Sequence, residues 1–322
     1  MKTDGLPSSL PKQMRIAALD IGTNTILLLL AEVDSKGKIT VLHNDYLIPR
    51  LGRGVDKNKS IDPANFDLAV ESLASILTIA KSFNPDELVA CGTSFLRDAL
   101  NAVDFLEHIR DRLGVEIRVL DGNEEARLTY LGAVSSDLEN PGVRDYAVID
   151  IGGGSTELIH GGGSVVRGRW SMNVGCVRLT ERILGEAPPS REQLDDARLE
   201  IRSHIPDLEV VPRHATLIGV AGTLTTLAAL DLKLLLYDPV RVTGHVLSKT
   251  SIRTMFSELS TMSLPELQSY PQILAGRADI LVAGILILLE VMDAIGAEQI
   301  TASDRGLRYG MVVDCFQSRA ES

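Results

Sequence analysis

An internal duplication constrains this chain more than any other feature of its sequence. Near the N-terminus, an apolar run ending in Asp20 is followed by a turn with Gly22 and by a second apolar run. The segment from 146 to 170 repeats this order, with Asp150 and Gly152 placed 130 residues further on. Each segment predicts a strand, a polar turn, a second strand, a hairpin and a third strand.

A second pair of motifs has the same spacing. Gly92-Thr93 follows one apolar run and precedes a helical segment, and Gly222-Thr223 does the same 130 residues later. Two motif pairs with one offset predict two related halves rather than a short solenoid repeat. Strands that alternate with helices indicate the α/β class. We therefore expect two α/β halves that face each other across a ligand-binding cleft.

The composition limits the partners of such a protein. Its 322 residues include 43 acidic and 32 basic side chains, for a formal net charge of −11. This charge argues against a nucleic-acid partner, which normally requires a basic surface. The longest apolar run, 280–289, has ten residues, whereas a membrane span needs ~20, so it predicts a buried helix and no membrane partner. The three cysteines form no disulfide or metal pattern, which favours a cytoplasmic protein.

The Asp150 segment carries three consecutive glycines and ends at Glu157. Such a run costs conformational entropy unless the backbone must approach something closely. Carboxylates such as Asp150 and Glu157 suit Mg²⁺ that is bound partly through water and substrate phosphate. We favour this interpretation over a flexible turn with two incidental acids, because the loop at Asp20 would lie opposite.

Three further features have two interpretations each. The Asp20 segment could hold a phosphate or simply begin a hairpin. Glu124 and Glu125 stand in the first turn of a predicted helix, where acids favour the positive end of the helix dipole. One of them could instead face the cleft as a general base, and periodicity does not say which. Arg97 could clamp phosphate oxygens or pair with a surface acid.

Taken in order, the motifs resemble the exopolyphosphatase/guanosine pentaphosphate phosphohydrolase (Ppx/GppA) family, in its short two-domain type. The matching segments are DIGTNT, GTSFLRDA, GNEEARL, DIGGGSTEL, NVGCVRLTE, GVAGTLTTLAA, GHVLS, GRADIL and SDRGLRYG, which span about residues 15–312. That family belongs to the superfamily of actin, sugar kinases and Hsp70. The resemblance implies two ribonuclease-H-like domains with the active site in the cleft between them. Domain I would comprise 15–131 plus 305–322, and domain II 132–304, after a flexible tail at 1–14.

The resemblance also implies roles for individual residues. Glu125 would be the general base that activates water, and Arg97 would contact phosphate as a second catalytic residue. Asp150 and Glu157 would bind Mg²⁺ or another divalent cation. The residues expected to bind substrate are Asp20, Gly22, Thr23, Asn24, Gly152, Gly153, Gly154, Ser155, Gly222, Thr223 and Arg277.

One position departs from the family pattern. Leu27 stands where many members carry Arg or His. A basic contact to the substrate is then either missing or supplied from elsewhere, and Arg50 and Arg53 are candidates to supply it.

The expected activity is that of an exopolyphosphatase, which hydrolyses the terminal phosphate of inorganic polyphosphate with a metal and a Glu125-activated water. A first alternative substrate is guanosine pentaphosphate, although the aromatic content of 4% predicts no clear guanine-stacking site. A second alternative is a non-catalytic nucleotide or alarmone sensor, against which the retained acids argue. A sugar kinase fits less well, because GNEEAR favours hydrolysis by water. A homodimer remains open.

Overall fold

The structure is a computed structural model that describes residues 13–135, 144–208 and 211–320. Its strands form two mixed sheets. The first sheet contains β1 (Gln13–Ile21), β2 (Ile26–Asp34), β3 (Ile39–Leu47), β4 (Glu87–Gly92) and β5 (Arg118–Val119). The second contains β6 (Asp145–Ile151), β7 (Thr156–Gly162), β8 (Val165–Met172), β9 (Thr216–Val220), β10 (Val246–Ser248) and β11 (Gln299–Ala302).

Helices connect the strands. Those before β6 are α1 (Val55–Asn58), α2 (Ala64–Ser82), α3 (Ser94–Asp98), α4 (Ala102–Leu113) and α5 (Gly122–Ala133). Those after β8 are α6 (Cys176–Leu179), α7 (Arg191–His204), α8 (Ala221–Asp231), α9 (Pro239–Val242), α10 (Lys249–Leu259), α11 (Leu264–Gln268), α12 (Leu281–Ile295) and α13 (Leu307–Ala320). A π-helical turn, Thr180–Leu184, continues α6, and a 3-10 turn, Ala275–Ile280, precedes α12. We call the elements from β1 to α5 the first half and those from β6 to β11 the second half.

The two sheets share one strand order. The first runs β3-β2-β1-β4-β5, with β1 antiparallel to β2 and parallel to β4. The second runs β8-β7-β6-β9-β11-β10, with β6 antiparallel to β7 and parallel to β9. Both are ribonuclease-H-like sheets, so the predicted duplication and the α/β class with a cleft between two such units are confirmed.

Apolar sequence runs explain the layers. In β1 and β2, successive side chains from Ile16 to Leu30 are almost all buried, because helices cover both faces of the sheet. The face opposite to α2 packs against α13, whose Leu307, Met311 and Val312 contact β1 and β2. The chain therefore returns to its first sheet after crossing the second, as the family resemblance implies. The apolar run at 280–289 lies in α12 and is buried, as predicted.

One boundary differs from the sequence predictions. The tail expected at 1–14 ends earlier, because Gln13 and Met14 already pair with β2 and Met14 is buried; residues 1–12 lie outside the described chain. Helix α2 begins at Ala64, directly after Pro63, and the N–H of Ala64 donates to Asp62 Oδ1 at 3.0 Å. Strand β5 is short and pairs with β4 only over Arg118–Val119.

Within the described ranges, no helix is both long and apolar enough to cross a membrane.

Candidate active site

A cleft lies between the halves at the loops that follow β1 and β6. It encloses a cavity of about 380 Å³. The predicted site residues that line it are Asp20, Gly22, Thr23, Asn24, Glu125, Asp150, Gly152, Gly153, Ser155, Gly222, Thr223 and Arg277. Arg97, Gly154 and Glu157 do not line it. The cleft therefore brings together residues from five separate motifs.

The loop after β1 is a tight turn. The N–H of Gly22 donates to the carbonyl of Thr25 at 3.0 Å, and a Cβ on residue 22 would lie 3.1 Å from that oxygen. The Thr23 hydroxyl is hydrogen-bonded to the Ser94 hydroxyl at 3.1 Å, which fixes the loop to the start of α3. Backbone N–H groups in such turns form sites for phosphate oxygens.

The loop after β6 has the same turn. The N–H of Gly152 donates to the carbonyl of Ser155 at 2.9 Å. A Cβ on Gly153 would lie 2.8 Å from the Cβ of Thr23, and one on Gly154 would lie 2.6 Å from the Ser94 hydroxyl. The glycine run is therefore needed because the two loops touch, and the close approach predicted from sequence is to the other half of the protein.

Four carboxyl groups cluster beside these loops. Burial, reinforced by the charge of Glu125, raises the pKa of Asp20 to about 8. Burial and the same neighbour raise the pKa of Asp150 to about 7. Burial, with the charges of Glu125 and Asp150, also raises the pKa of Glu157 well above its usual range. Several titratable groups with shifted pKa values in one cleft are typical of active sites.

Glu124 and Glu125 have different surroundings, which resolves the ambiguity left by the sequence. Asp121 caps α5 by accepting the N–H of Glu124 at 2.8 Å, and the Glu124 side chain pairs with Arg118 away from the cavity. Glu125 is 7% exposed and faces the cavity. Burial raises its pKa, although the guanidinium of Arg97 acts in the opposite direction.

Arg97 contacts Glu125 rather than the cavity. Its NH1 donates to Glu125 Oε2 at 2.5 Å and to the carbonyl of Leu120 at 2.7 Å. The side chain therefore fixes the orientation of the buried carboxylate. The interpretation as a surface ion pair does not describe this arrangement, because Glu125 is buried, whereas the contact of Arg97 with phosphate stays a prediction.

The acids fit a divalent cation that completes its shell with other ligands. Asp20 Oδ1 is buried and has no hydrogen-bond partner in the described part of the chain. Within that part, no three or more His, Cys, Asp or Glu side chains form a metal cluster by themselves. A cation between Asp20 and Asp150 would need water or phosphate oxygens, as Mg²⁺ commonly does. Glu157 is 1% exposed, pairs with Asp150 across β6 and β7, and accepts the Ser171 hydroxyl at 2.8 Å, which places it behind such a site.

Cationic side chains also reach the cleft. Arg277 lines the cavity and packs against Gly222, where a Cβ would lie 2.5 Å from its guanidinium. Arg308, on α13, lines the cavity and donates to the Leu28 carbonyl at 3.2 Å. Arg308 belongs to the SDRGLRYG motif, but the sequence alone indicates no role for it.

The two candidates for replacing the basic residue absent at Leu27 lie elsewhere. Arg50 donates two hydrogen bonds to Asp279, at 2.6 and 2.8 Å, and a third to the Gly276 carbonyl. Its charge is therefore already paired. Arg53 is exposed and does not line the cavity.

The cavity also has apolar and aromatic side chains in its lining, which the sequence alone does not predict. It is lined by Tyr46, Leu234, Tyr237, Pro239 and Leu274. Both tyrosines are about half exposed, and Tyr237 donates its hydroxyl to Asp304 at 2.7 Å. The tyrosines come from β3 and from the loop after α8, so no sequence pattern places them together.

Comparison with known proteins identifies the family. A sequence profile of the Ppx/GppA phosphatase family matches residues 29–319. The chain belongs to the Ppx/GppA phosphatase family. Exopolyphosphatase 2 of Mycobacterium tuberculosis is 32% identical over 317 residues, covering 93% of this chain and 98% of that protein.

Solved structures agree. The crystal structure of an exopolyphosphatase-like protein superposes with a TM-score of 0.89 at 32% identity, covering 96% of this chain and all of the other. The Aquifex aeolicus family member gives a TM-score of 0.81 at 30% identity, with the same coverage. The chain is thus a phosphatase of this family, and the predicted family, fold and hydrolase class are confirmed.

Proposed function

We propose that the protein is a metal-dependent exopolyphosphatase that hydrolyses the terminal phosphate of inorganic polyphosphate in the cleft. The observation that carries this proposal is the buried Glu125 carboxylate, which faces a cavity lined by both phosphate-type loops. The exopolyphosphatase name of the Mycobacterium relative supports the same substrate class. We further propose that 15–131 with 305–322 and 132–304 act as two domains.

In this proposal the loops hold the terminal phosphate. Backbone N–H groups of the Gly22 and Gly152 turns would contact its oxygens, and Arg277 would bind the next phosphates of the chain. Asp20 and Asp150 would hold a divalent cation, which when bound supplies electrostatic stabilisation of the phosphoryl oxygens.

Glu125 would then act as the general base. The carboxylate oxygen that Arg97 does not hold would accept a proton from a water aligned with the terminal phosphorus. The new P–O bond forms as the bridging P–O bond breaks, and the shortened chain leaves as an anion. A base works best when its pKa lies near the working pH, and the burial that raises the pKa of Glu125 acts in that direction.

Guanosine pentaphosphate is a second candidate substrate. The specific observation in its favour is that Tyr46 and Tyr237 line the cavity, where they could contact a base. A linear polyphosphate makes no use of such a surface.

The test compares phosphate release from long-chain polyphosphate and from guanosine pentaphosphate at matched Mg²⁺, and after removal of metal with EDTA. We expect Mg²⁺-dependent release with the higher kcat/KM on polyphosphate. A higher kcat/KM on guanosine pentaphosphate, lowered selectively in Tyr46→Ala, would replace the first proposal by the second. Binding of guanosine pentaphosphate with no release from either compound would leave the sensor alternative.

A further inference from the structure

Arg178 is a buried arginine next to the active site. It belongs to the NVGCVRLTE motif, lies on α6 and is 7% exposed. It does not line the cavity. The proposed reaction therefore gives it no direct role, and its contacts must explain why a charge is buried there.

Arg178 joins the halves through two carboxylates. Its NH1 lies 3.2 Å from Asp56 Oδ1, and its NH2 donates to Asp98 Oδ2. Asp56 is on α1 and Asp98 is the last residue of α3, so both partners belong to the first half.

The same residue contacts the glycine loop of the second half. Its backbone N–H donates to the carbonyl of Gly153 at 3.0 Å. Its NH2 would lie 3.5 Å from a Cβ on Gly154. Arg178 therefore contacts the loop after β6 through its backbone N–H and the end of α3 through its side chain.

Helix α3 is the element that carries the base-orienting arginine. Asp98 follows Arg97 directly, and Arg97 holds Glu125. The first residue of the helix, Ser94, bonds to Thr23. Helix α3 has only five residues. We therefore expect a displacement of Asp98 to change the orientation of the Arg97 side chain as well.

Stability alone does not account for this arrangement. Burying an arginine with two carboxylates often gives no net gain over an apolar group, because desolvation offsets the attraction. Arg178 Nε is in addition buried without a hydrogen-bond partner within the described ranges, which costs further free energy. The contacts of Arg178 do hold α3 and the loop after β6 at a fixed distance from each other.

We propose that Arg178 is a positioning residue that aligns the Arg97–Glu125 pair with the phosphate held by the glycine loop. This inference rests on the proposed function only for the role of Glu125. The geometry itself, a link between residues 152–155 and α3, holds for either candidate substrate.

The test uses Arg178→Met, Arg178→Lys and Asp98→Asn, with Arg182→Met as the matched control. Arg182 also bonds to Asp56, at 2.8 Å, but makes no contact with Asp98. The measurements are kcat and KM on the substrate that wild type hydrolyses, the melting temperature, and amide hydrogen exchange of peptides covering 94–98 and 152–155.

We expect kcat of Arg178→Met to fall by about 100-fold, the effect of a misplacement near 1 Å, and KM to change much less. Lysine cannot hold two carboxylates in a fixed geometry, so Arg178→Lys should lie between Met and wild type. Adding Asp98→Asn to Arg178→Met should cause no further loss, since both remove one link. Amide hydrogen exchange in both peptides should become faster. The kcat of Arg182→Met should stay within about threefold of the wild-type value.

Folded Arg178→Met or Asp98→Asn with wild-type kcat and exchange would overturn the inference. So would an equal loss in Arg182→Met, which would indicate a general effect of losing the Asp56 contact. If Arg178→Met does not fold, the shape-preserving Asp98→Asn decides. If wild type hydrolyses neither substrate, the proposed function fails, and the exchange rates alone still test the link.

Discussion

The loops after β1 and β6 occupy equivalent places in the two halves, yet they carry different side chains. Both turn through the same hydrogen bond, from residue 22 to 25 at 3.0 Å and from residue 152 to 155 at 2.9 Å. Thr23 of the first loop corresponds to Gly153 of the second. Because these two residues face each other, only one of them can carry a Cβ. The duplicated halves thus fit together by differing at their point of contact.

A second difference lies one strand away. Asp20 pairs with Leu27 across β1 and β2, and Asp150 pairs with Glu157 across β6 and β7. The equivalent position is therefore apolar in the first half and acidic in the second. The first half contributes the base Glu125 from α5 instead. The two similar folds therefore contribute differently: the first supplies the proposed base and one proposed metal ligand, Asp20, and the second supplies Asp150 with Glu157 behind it.

Making the loops alike should break the site most strongly. Gly153→Thr would place two threonines at one point, and we expect kcat/KM to fall by about 100-fold or more, since the loops must separate by about 1 Å. Thr23→Gly in the same chain should restore part of the activity. Ser164→Thr, at an exposed position between β7 and β8 that does not line the cavity, is the control. Full activity of Gly153→Thr alone would show that the loops need not touch.

Neutralising Glu157, which has no acidic counterpart in the first half, should lower activity less than Gly153→Thr does. Glu157 lies behind Asp150, and outer partners of metal ligands typically contribute about 10–100-fold in affinity or activity. We expect Glu157→Gln to raise the Mg²⁺ concentration for half-maximal activity by about that factor, with Leu27→Met unchanged. An unaltered Mg²⁺ titration would remove Glu157 from the proposed metal-associated pair.

The smallest effect concerns stability. The pKa of Asp20 is raised from 3.8 to about 8, and that of Asp150 to about 7. The folded, metal-free protein therefore binds extra protons between about pH 4 and 8, and its free energy of unfolding should fall as pH rises through that window. Thermal melts in EDTA at pH 5.5, 7 and 8.5 should show a decrease of several degrees. Asp20→Asn should flatten this slope, and a slope that it leaves unchanged would contradict the assignment.

The sequence predicts the duplicated fold of this molecule better than its side-chain contacts. The 130-residue offset between Asp20 and Asp150 can be read directly from the sequence, and it predicts the duplicated strand order and the facing loops. The side chain that faces the cleft is not visible in this way. Glu124 and Glu125 are neighbours in one helical turn, and only the positions of Arg118 and Arg97 separate their roles.

Contacts between distant segments cannot be predicted from the sequence for the same reason. The glycine run suggests a close approach, but Thr23 as its partner depends on how the halves meet. Tyr46 and Tyr237 follow no shared pattern, and Arg178 is one arginine among many until Asp56 and Asp98 are placed beside it.

The measurement that tests the central claim most directly compares Glu125→Gln with Glu124→Gln on long-chain polyphosphate in Mg²⁺, recording phosphate release and polyphosphate binding. The two changes are equal in chemistry and adjacent in sequence, but only Glu125 faces the cavity. We predict that Glu125→Gln binds polyphosphate and releases phosphate about 1,000-fold more slowly than wild type, within the range for loss of a general base, whereas Glu124→Gln keeps its activity. Equal activity of the two variants would contradict the account.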